Sequence, residues 1–426
     1  MTNLKWTGFA KKSPQERIDL IREFGLLEEE SQDILQKQIG LPLEIANQMA
    51  ENVVSELSLP FAIAPDFLVN DKFYQLPMVT EEPSVVAAAS FAAKIIKRSG
   101  GFTTTVHNRQ MIGQVALFDV PNFEKATANI LEQKAFLLNL ADQAYPSIVK
   151  RGGGARNLWL EQKENFLITY VSVDTQEAMG ANMVNTMMEA LVPSLEELSQ
   201  GQSLMAILSN YATESLVSAE CEVGISSLSR NKDEANRLAQ KFVMASQLAQ
   251  VDPYRASTHN KGIFNGIDAL VIATGNDWRA IEAGAHAYAS RDGQYRGFSY
   301  WSYDEEAATI KGHMTLPMPI ATRGGSIGLN PTVQIAYDLL DNPDAKELAG
   351  LIVSLGLAQN FAALKALTST GIQAGHMKLH AKSLALLAGA KDNEVGPLVQ
   401  ELLKEKHMNL ATSEELLSKM RQESMN

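Results

Sequence analysis

Apolar and polar positions follow two different periods in the N-terminal part of the chain, which predicts both helices and strands. Ser13, Pro14 and Glu16 form a capping box with proline at the first helical position, so a helix is expected in SPQERIDLIREFGL. A second helical pattern covers LEIANQMAENVVSEL, and LPFAIAPDFLVNDKFYQLPMVT is typical of short strands joined by an Asn-Asp turn. The Ala-rich segment EEPSVVAAASFAAKIIKRSGG then predicts a helix with Pro83 just inside its start.

A different order of elements begins near residue 108. MIGQVALFDV predicts a strand, FEKATANILEQKAFLLNLADQA a helix, NLWLEQKENFLITYVSVDTQ two strands, EAMGANMVNTMMEALVPSLEEL a helix and SLMAILSNYATES a strand. That order resembles a split βαβ, ferredoxin-like unit. We therefore expect a small domain at 108–210, inserted into a large domain that comprises 1–107 and 211–375.

The rest of the chain predicts helices around one buried strand. Helical patterns cover SRNKDEANRLAQKFVMASQLAQ and NDWRAIEAGAHAYASR, and DALVIATG between them is typical of a buried strand. ELAGLIVSLGLAQNFAALKALTSTGI is apolar enough to be a central helix, and 376–426 is expected to form a helical C-terminal flap, with Thr412 and Glu415 capping its last helix. The expected fold class is α/β (α+β), a large mixed domain around a central helix with the small domain inserted.

Composition and charge exclude several classes of protein. The formal net charge is -12, whereas a protein that binds nucleic acid normally carries a basic surface. Cys221 is the only cysteine, which excludes an intrachain disulfide and a cysteine-rich metal site. The first residues lack the apolar segment of a signal peptide, and no stretch reaches the ~18 uncharged apolar residues of a membrane span. A cytoplasmic protein with no nucleic-acid or membrane partner is expected.

The usual nucleotide-binding signatures GxGxxG and GxxxxGK[ST] do not occur, which disfavours a conventional Rossmann or P-loop enzyme. Two other polar groups are candidates for chemistry. Glu81 and Glu82 precede an Ala-rich helix, where they either complement the helix dipole or provide a partly desolvated proton donor. The segment DPYRASTHNKGIFNGID, 252–268, is either a solvated loop or an anion and carbonyl site, with Arg255 for a carboxylate and Lys261 for a developing oxyanion.

Two further groups also leave alternatives open. Asp277 follows the expected strand DALVIATG and is either a plain helix N-cap or a partner that tunes Lys261. His376 and His380 are four residues apart on one helical face, which is compatible with a metal site, but no carboxylate lies between them and no cysteine is nearby. A single proton-donating histidine is the simpler interpretation.

Long segments in a fixed order resemble the bacterial, soluble class (class II) of hydroxymethylglutaryl-coenzyme A reductase. They are ENVVSELSLPFAIA, PMVTEEPSVVAAAS, EAMGANMVNTMME, ILSN, DPYRASTHNKGIFNGIDALVIATGNDWRAIEAGAHAYASRDGQYR, GLAQN and GIQAGHMKLHA. The resemblance spans about 50–385 and implies reduction of 3-hydroxy-3-methylglutaryl-CoA to mevalonate and free CoA, with two hydrides from nicotinamide cofactors. Two positions differ from the family's motifs: Glu177 replaces aspartate in EAMGAN, and Ser55 replaces glycine in ENVVS.

The resemblance also implies roles for individual residues. Lys261 would stabilise the carbonyl oxygen and Glu82 would be the general acid, while Asp277 would tune both. His376 would protonate the departing CoA thiolate. The residues implied to hold the hydroxymethylglutaryl group are Ser84, Arg255, Thr258 and Asn265. Those implied in the cofactor site, where a helix start would meet the dinucleotide phosphates, are Glu177, Met179, Gly180, Asn182 and Asn210. No metal is implied.

Cofactor choice depends on the residues around the GGG turn. Relatives that prefer NADH carry an acidic residue before this turn, for the ribose 2′-hydroxyl. Alignment back from the turn places Tyr145 there, although a small gap would restore Asp142. Lys150, Arg151 and Arg156 are close in sequence and suit a 2′-phosphate. NADPH is therefore favoured over NADH.

The resemblance implies a homodimer with the active site at the subunit interface, and a C-terminal flap whose closure brings His376 to the substrate. Three other functions stay open on the sequence. The same site would serve an NADH-linked, catabolic oxidation of mevalonate. A metal-dependent hydrolase would use His376 and His380, and a catalytically silent protein would only bind CoA.

Overall fold

The computed structural model describes residues 4–325, 327–369, 373–405 and 407–423, without the side chains of 373–376, 378–379, 392 and 423. The helices are α1 (Pro14–Glu23), α2 (Glu29–Lys37), α3 (Leu43–Met49), α4 (Val85–Ile96), α5 (Phe123–Glu132), α6 (Lys134–Ala144), α7 (Pro146–Val149), α8 (Ala181–Ser199), α9 (Lys232–Val251), α10 (Pro253–Ala273), α11 (Trp278–Ala289), α12 (Pro331–Leu339), α13 (Ala345–Thr368), α14 (Gln373–Leu387), α15 (Asp392–Leu402) and α16 (Leu410–Glu423). The strands are β1 (Phe61–Val69), β2 (Lys72–Val79), β3 (Phe102–Val106), β4 (Met111–Phe118), β5 (Gly154–Lys163), β6 (Phe166–Asp174), β7 (Gln202–Ser209), β8 (Leu216–Gly224), β9 (Ser299–Asp304) and β10 (Thr309–Pro317).

The larger of two sheets has six strands in the order β2-β1-β3-β8-β10-β9. Neighbouring strands are antiparallel except for β1 and β3, which pair in parallel at Val69 and Phe102. The hairpin between β1 and β2 turns at Asn70 and Asp71, both with positive φ, as the sequence predicts. Helices α4, α10 and α13 pack beside this sheet and share its hydrophobic core.

Helix α13 is the central helix that the sequence predicts, and it is buried around most of its circumference. By length and composition it would pass for a membrane span, but 89% of its most apolar window lies inside the protein, which is the position of a core helix. Glycines on α13 let β3 and α10 approach it closely. A Cβ on Gly350 would lie 2.7 Å from the Thr104 hydroxyl, and one on Gly356 would lie 2.9 Å from the Ile267 side chain.

The second sheet has four antiparallel strands in the order β5-β6-β4-β7. Its strands and helices follow one another as strand, helix, strand, strand, helix, strand, which is the ferredoxin-like order. Helices α5, α6 and α8 contact it, and their apolar faces form a second core. The mixed α/β fold class with a ferredoxin-like unit, expected from the sequence, is therefore confirmed.

Several local predictions are wrong. DALVIATG is not a buried strand but the end of α10 and the turn after it, because a short apolar run does not distinguish a strand from a buried helix. The Ala-rich helix begins at Val85, so Pro83 lies before it. The helix expected through LEIANQMAENVVSEL ends at Met49, and the one expected after Asn122 is divided into α5 and α6. Asn409, not Thr412, accepts the capping hydrogen bond of α16.

The C-terminal helices α14, α15 and α16 form a cluster with a small core of their own. It is made of Ala381, Leu384, Ala385, Leu398, Val399, Leu402 and Leu417. The Ser413 hydroxyl, which is buried, donates to the Leu384 carbonyl at 3.1 Å and ties α16 to α14. This part of the chain therefore has packing that does not depend on the larger sheet.

Candidate functional site

Helix α10 presents the polar residues of DPYRASTHNKGIFNGID along one face. The Asp252 carboxylate caps its start, accepting from the amides of Tyr254 and Arg255 at 3.2 Å each, with Pro253 at the first helical position. A helix, rather than the loop considered as an alternative, places residues three and four apart on the same side. The residues that share this face are Arg255, Thr258, Lys261 and Asn265.

Glu82 meets this face of α10. The Lys261 ammonium contacts one carboxylate oxygen of Glu82, and the Asn265 side-chain amide donates to the other at 3.3 Å. The side chains of Lys261 and Glu82 keep 62% and 36% of their surface exposed, so both are accessible to a ligand. A cation beside a carboxyl is the arrangement that polarises and protonates a carbonyl oxygen.

The core holds the turn that carries Glu82. Ser84 adopts a left-handed conformation with φ 77°, and the Gln359 side chain of α13 donates to the Val85 carbonyl at 2.7 Å. Gln359 also packs directly on α10, because a Cβ on Gly266 would lie 2.5 Å from its Cγ. Helix α13 therefore sets the distance between the Glu82 turn and the Lys261 face.

Arg255 is half-buried and is suited to a carboxylate. Among the described residues its guanidinium has no hydrogen-bond or ion-pair partner, and burial lowers its pKa from the ordinary value. A partly desolvated guanidinium favours a planar anion that offers two oxygens. His259, one turn further along α10, is a structural histidine: burial lowers its pKa to about 3, and its ring bonds to the hydroxyl of Ser299 at 2.7 Å.

A cleft of about 1030 Å³ opens at the start of α8. Gly180 caps this helix with φ 83°, without a side-chain hydrogen bond and without an acidic residue in the first turn. The amides at the start of α8 are thus available to an anion, and the cleft volume suits a dinucleotide. Of the expected cofactor residues, the cleft is lined by Glu177, Met179, Gly180 and Asn182. Asn210 is not among its lining residues, and its carbonyl lies against Gly284 of α11.

The Glu177 carboxylate is engaged by the protein. One of its oxygens accepts from the Thr322 hydroxyl at 2.5 Å and from the Ala345 amide, at the start of α13, at 2.9 Å. Its carbonyl accepts from the amides of Thr322 and Arg323 at 3.0 and 3.3 Å. Beside it, the partly buried Arg109 donates to the Ile320 carbonyl at 2.6 Å. These bonds join the segment before α8 to the Gly324-Gly325 loop and to α13.

Asp277 makes its hydrogen bonds within its own helix, α11. It is the N-cap of α11, and its carboxylate accepts from the amides of Arg279 and Ala280 at 3.1 and 3.2 Å and from the Arg279 side chain at 3.3 Å. Its side chain lines the cleft at the start of α8. The structure thus brings Glu82, Lys261 and Asn265 together and places Asp277 in the lining of the cleft at the start of α8.

His376 and His380 lie on α14. The His376 side chain is outside the described residues, and His380 is exposed. Within the described residues, no group of three or more His, Cys, Asp or Glu side chains is arranged to hold a metal ion.

Sequence reasoning missed Gln359 and Arg109, which position the two halves of the site. Gln359 is one of a few polar residues in the apolar middle of α13, and that exception was an available signal. Arg109 precedes an apolar strand, but its contact with Ile320 needs the tertiary fold. Nothing local in the sequence marks it.

An exposed carboxyl–ammonium pair, with a cleft at a helix start suited to a dinucleotide, defines a cofactor-dependent enzyme that acts on a carbonyl group. The model of the family described as hydroxymethylglutaryl-coenzyme A reductase matches residues 13–381, and the chain belongs to this family. It is an oxidoreductase of the class II type that reduces 3-hydroxy-3-methylglutaryl-CoA to mevalonate in the mevalonate pathway.

Known reductases are similar to this chain over most of its length. The 3-hydroxy-3-methylglutaryl-coenzyme A reductase of Archaeoglobus fulgidus is 40% identical over 97% of this chain and 94% of its own length. A solved reductase from Streptococcus pneumoniae superposes with a TM-score of 0.86 at 63% identity, covering 98% of this chain and all of that one. A second structure of the Streptococcus pneumoniae class II enzyme, bound to NADPH in open conformations, has a TM-score of 0.85 at 63% identity, covering 86% of this chain and 100% of that one.

The Glu177 contacts lead to a prediction about cofactor affinity. Glu177→Ala removes two hydrogen bonds of a charged acceptor, each worth roughly 1.5–3 kcal/mol, and releases the segment before α8. We expect the KM for the nicotinamide cofactor to rise about tenfold or more in steady-state kinetics, with a smaller change in kcat. Glu177→Gln keeps an acceptor oxygen and should be milder. The exposed Glu197, at the far end of α8, provides the control Glu197→Ala; an unchanged KM in Glu177→Ala would contradict the structural role.

Proposed function

We propose that Lys261 and Glu82 perform the carbonyl chemistry of this reduction, with NADPH as the hydride donor. The observation that supports it best is the contact between the Lys261 ammonium and the Glu82 carboxylate on the open face of α10. The pair is too exposed to serve stability, because exposed ion pairs contribute only ~0–1 kcal/mol. Its placement is therefore explained better by chemistry than by folding.

The dinucleotide supplies one hydride in each of the two reductions, and the chain supplies charge and protons. Lys261 stabilises the negative charge that develops on the thioester oxygen and later on the aldehyde oxygen. Glu82, within reach of Lys261, donates a proton to that oxygen, and the Asn265 amide holds the Glu82 carboxyl in place. Arg255 binds the free carboxylate of the hydroxymethylglutaryl group, with Ser84 and Thr258 as hydroxyl partners.

His376 and Asp277 have roles that depend on further movement. We assign to His376 the protonation of the CoA thiolate, delivered by closure of residues 376–426 as a flap. The separate core of α14, α15 and α16 supports movement of this segment as a unit. Tuning of Lys261 by Asp277 requires its carboxylate to leave Arg279, its present ion-pair partner at 3.3 Å.

NADPH is favoured by the side chains around the GGG turn. The Asp142 carboxylate accepts from the Ala155 amide at 2.7 Å at the start of β5, so it is already used inside the small sheet. Tyr145 and Arg151 line the cleft instead, and Arg151 offers a cation for a 2′-phosphate. Arg156 is paired with Asp174 at 3.3 Å. The NADPH-bound Streptococcus pneumoniae enzyme is consistent with this choice.

A homodimer is supported by an apolar surface beside the site. Met244, Leu248 and Val251 lie four and three residues apart on α9, all on one exposed face, and Tyr254 continues it at the start of α10 with 89% of its surface exposed. Tyr254 lies two turns before Lys261 on the same helix. A second copy covering this surface would approach the catalytic face, so we propose that the active site lies at the subunit interface.

The two chemical roles predict different losses in the two half-reactions. Lys261→Met removes the charge needed in both, so turnover of hydroxymethylglutaryl-CoA and of added mevaldehyde should each fall by about 100-fold or more. His376→Gln should slow only the thioester reaction, because the aldehyde has no thiolate to protonate. Absorbance at 340 nm follows both substrates. Equal losses in both reactions for His376→Gln would exclude the thiolate role, and an active Lys261→Met would exclude the carbonyl role.

The cofactor assignment predicts a selective effect of Arg151. Arg151→Ala should raise the KM for NADPH about tenfold, the size expected for one charge-assisted contact, and leave the KM for NADH nearly unchanged. Lys150→Ala, the same loss of charge at the neighbouring residue, is the control because Lys150 does not line the cleft. A wild-type preference for NADH would instead indicate the catabolic direction, oxidation of mevalonate.

The dimer proposal predicts that one interface charge disrupts both assembly and activity. Val251→Asp places a carboxylate on the exposed apolar face of α9, and sedimentation velocity should show dissociation to monomers with loss of turnover. Leu204→Asp alters an equally exposed aliphatic side chain on β7 and should leave the dimer intact. A fully active monomer would show that the site is complete within one chain.

A further inference from the structure

A second cavity, of about 360 Å³, lies between α10 and α11 next to the Lys261 face. The residues that argue for its function are Lys261, Asn265, Asp268, Glu282, His286 and Tyr295, all in its lining. Seven of its eight lining residues have polar side chains, and its volume accommodates several waters at about 30 Å³ each. The carbonyl chemistry leaves Asp268 and Glu282 without a role.

The helical spacing places these groups in a row. Asp268 follows Asn265 by three residues and Lys261 by seven, about 4.5 and 10.5 Å along the axis of α10 on one face. Both Asn265 and Lys261 contact the Glu82 carboxyl. The cavity therefore runs from the groups that hold Glu82 to the carboxyl of Asp268.

Asp268 and Glu282 form a carboxyl pair across the two helices. Both line the cavity, Asp268 from α10 and Glu282 from α11, and two neighbouring carboxyls favour a form in which one of them is protonated. Burial, and then the neighbouring Glu282, raises the pKa of Asp268 to about 8. The Asp268 Oδ1 atom is buried with no hydrogen-bond partner among the described residues. The proximity and burial of the two carboxyls thus favour one shared proton at neutral pH, and Oδ1 of Asp268 faces no donor among the described residues.

The other groups around the pair do not compete for this proton. The His286 Nδ1 atom and the Tyr295 hydroxyl lie 2.8 Å apart, and the ring of His286 stacks on Phe264 with centroids at 5.4 Å. Burial lowers the pKa of His286 in spite of the opposing effect of Glu282, so its ring is neutral near pH 7. The remaining charge that faces the cavity is the Lys261 ammonium.

We propose that the Asp268–Glu282 pair is a proton store that reloads Glu82 during turnover. This inference rests on the proposed role of Glu82 as the general acid. Reduction of the thioester to mevalonate and CoA with two hydrides takes up two protons, so Glu82 must be reprotonated within each catalytic cycle. When Glu82 has given its proton to the substrate oxygen, the pair gives one through cavity water to the Glu82 carboxylate and regains it from solvent. No oxidant or reductant takes part.

The kinetic test is the pH dependence of Asp268→Asn and Glu282→Gln. Each variant removes the shared proton while preserving shape. We expect kcat at about pH 8 to fall around tenfold, because reprotonation from solvent alone slows as acid becomes scarce, and the loss to shrink towards about pH 6. The KM values for hydroxymethylglutaryl-CoA and NADPH should stay unchanged. Asp292→Asn, an exposed carboxyl after α11, is the matched control.

A second measurement does not depend on activity. Infrared difference spectra near pH 7, wild type minus Asp268→Asn and wild type minus Glu282→Gln, should each show the carbonyl band of a protonated carboxylic acid, because the subtraction cancels any band from Glu82. The pH dependence of stability also reports on the protonation of Asp268. Its folded pKa lies above its unfolded value of 3.8. Ionisation of this group therefore lowers the free energy of unfolding progressively from about pH 4 to pH 8. Asp268→Asn should therefore gain thermal stability relative to wild type as the pH rises.

The possible results distinguish failure of the proton store from failure of the proposed carbonyl chemistry. An inactive wild type, or an active Lys261→Met, would overturn the carbonyl chemistry and leave the infrared band as evidence for the pair alone. An active, Lys261-dependent wild type whose Asp268→Asn and Glu282→Gln variants lose kcat equally at every pH would overturn the store. Absence of the protonated carboxyl band from the wild-type minus variant difference spectra would also overturn the proton store.

Discussion

The contact between α13 and α10 is the constraint on which the site depends. Gln359 lies where Gly266 leaves room for it, and its side-chain amide reaches the Val85 carbonyl just after the Glu82 turn. Three segments far apart in sequence are thereby held by one buried polar side chain of the central helix. Because an unsatisfied buried amide costs about 1–3 kcal/mol, Gln359 favours the single arrangement in which its bond is made. That arrangement brings Glu82 to Lys261.

The site combines groups in contrasting environments. Lys261 and Glu82 are exposed and depend on each other for orientation, whereas Arg255 is partly desolvated and has no partner among the described residues. Burial of a cation without an anion is unfavourable for folding, and it is justified where a ligand later supplies the anion. In the proposed mechanism, the carboxylate-binding group is thus prepared by desolvation and the reacting groups by proximity.

Features set by neighbouring residues were predictable from the sequence. The capping box of Ser13 and Glu16 and the Asn70-Asp71 turn are confirmed because both are determined over a few residues. The prediction of a strand at DALVIATG was wrong, because in a largely buried segment the apolar residues do not show the periodicity that distinguishes a helix from a strand. The resemblance selected Glu82 and Lys261, but neither it nor the pattern indicated that Asp268 meets Glu282, since that contact joins different helices.

The bond from Glu177 to the Ala345 amide has a mechanical consequence. It attaches the segment before α8 to one end of a helix of 24 residues, roughly 36 Å long at a rise of ~1.5 Å per residue. The other end of that helix leads along the chain to α14, which carries His376. A tilt of one degree about the anchored end moves the far end by roughly 0.6 Å, as simple lever geometry on that length requires. The central helix thus spans the distance between the cleft at the start of α8 and the segment that leads to His376, and a rigid-body tilt of it would move the two together.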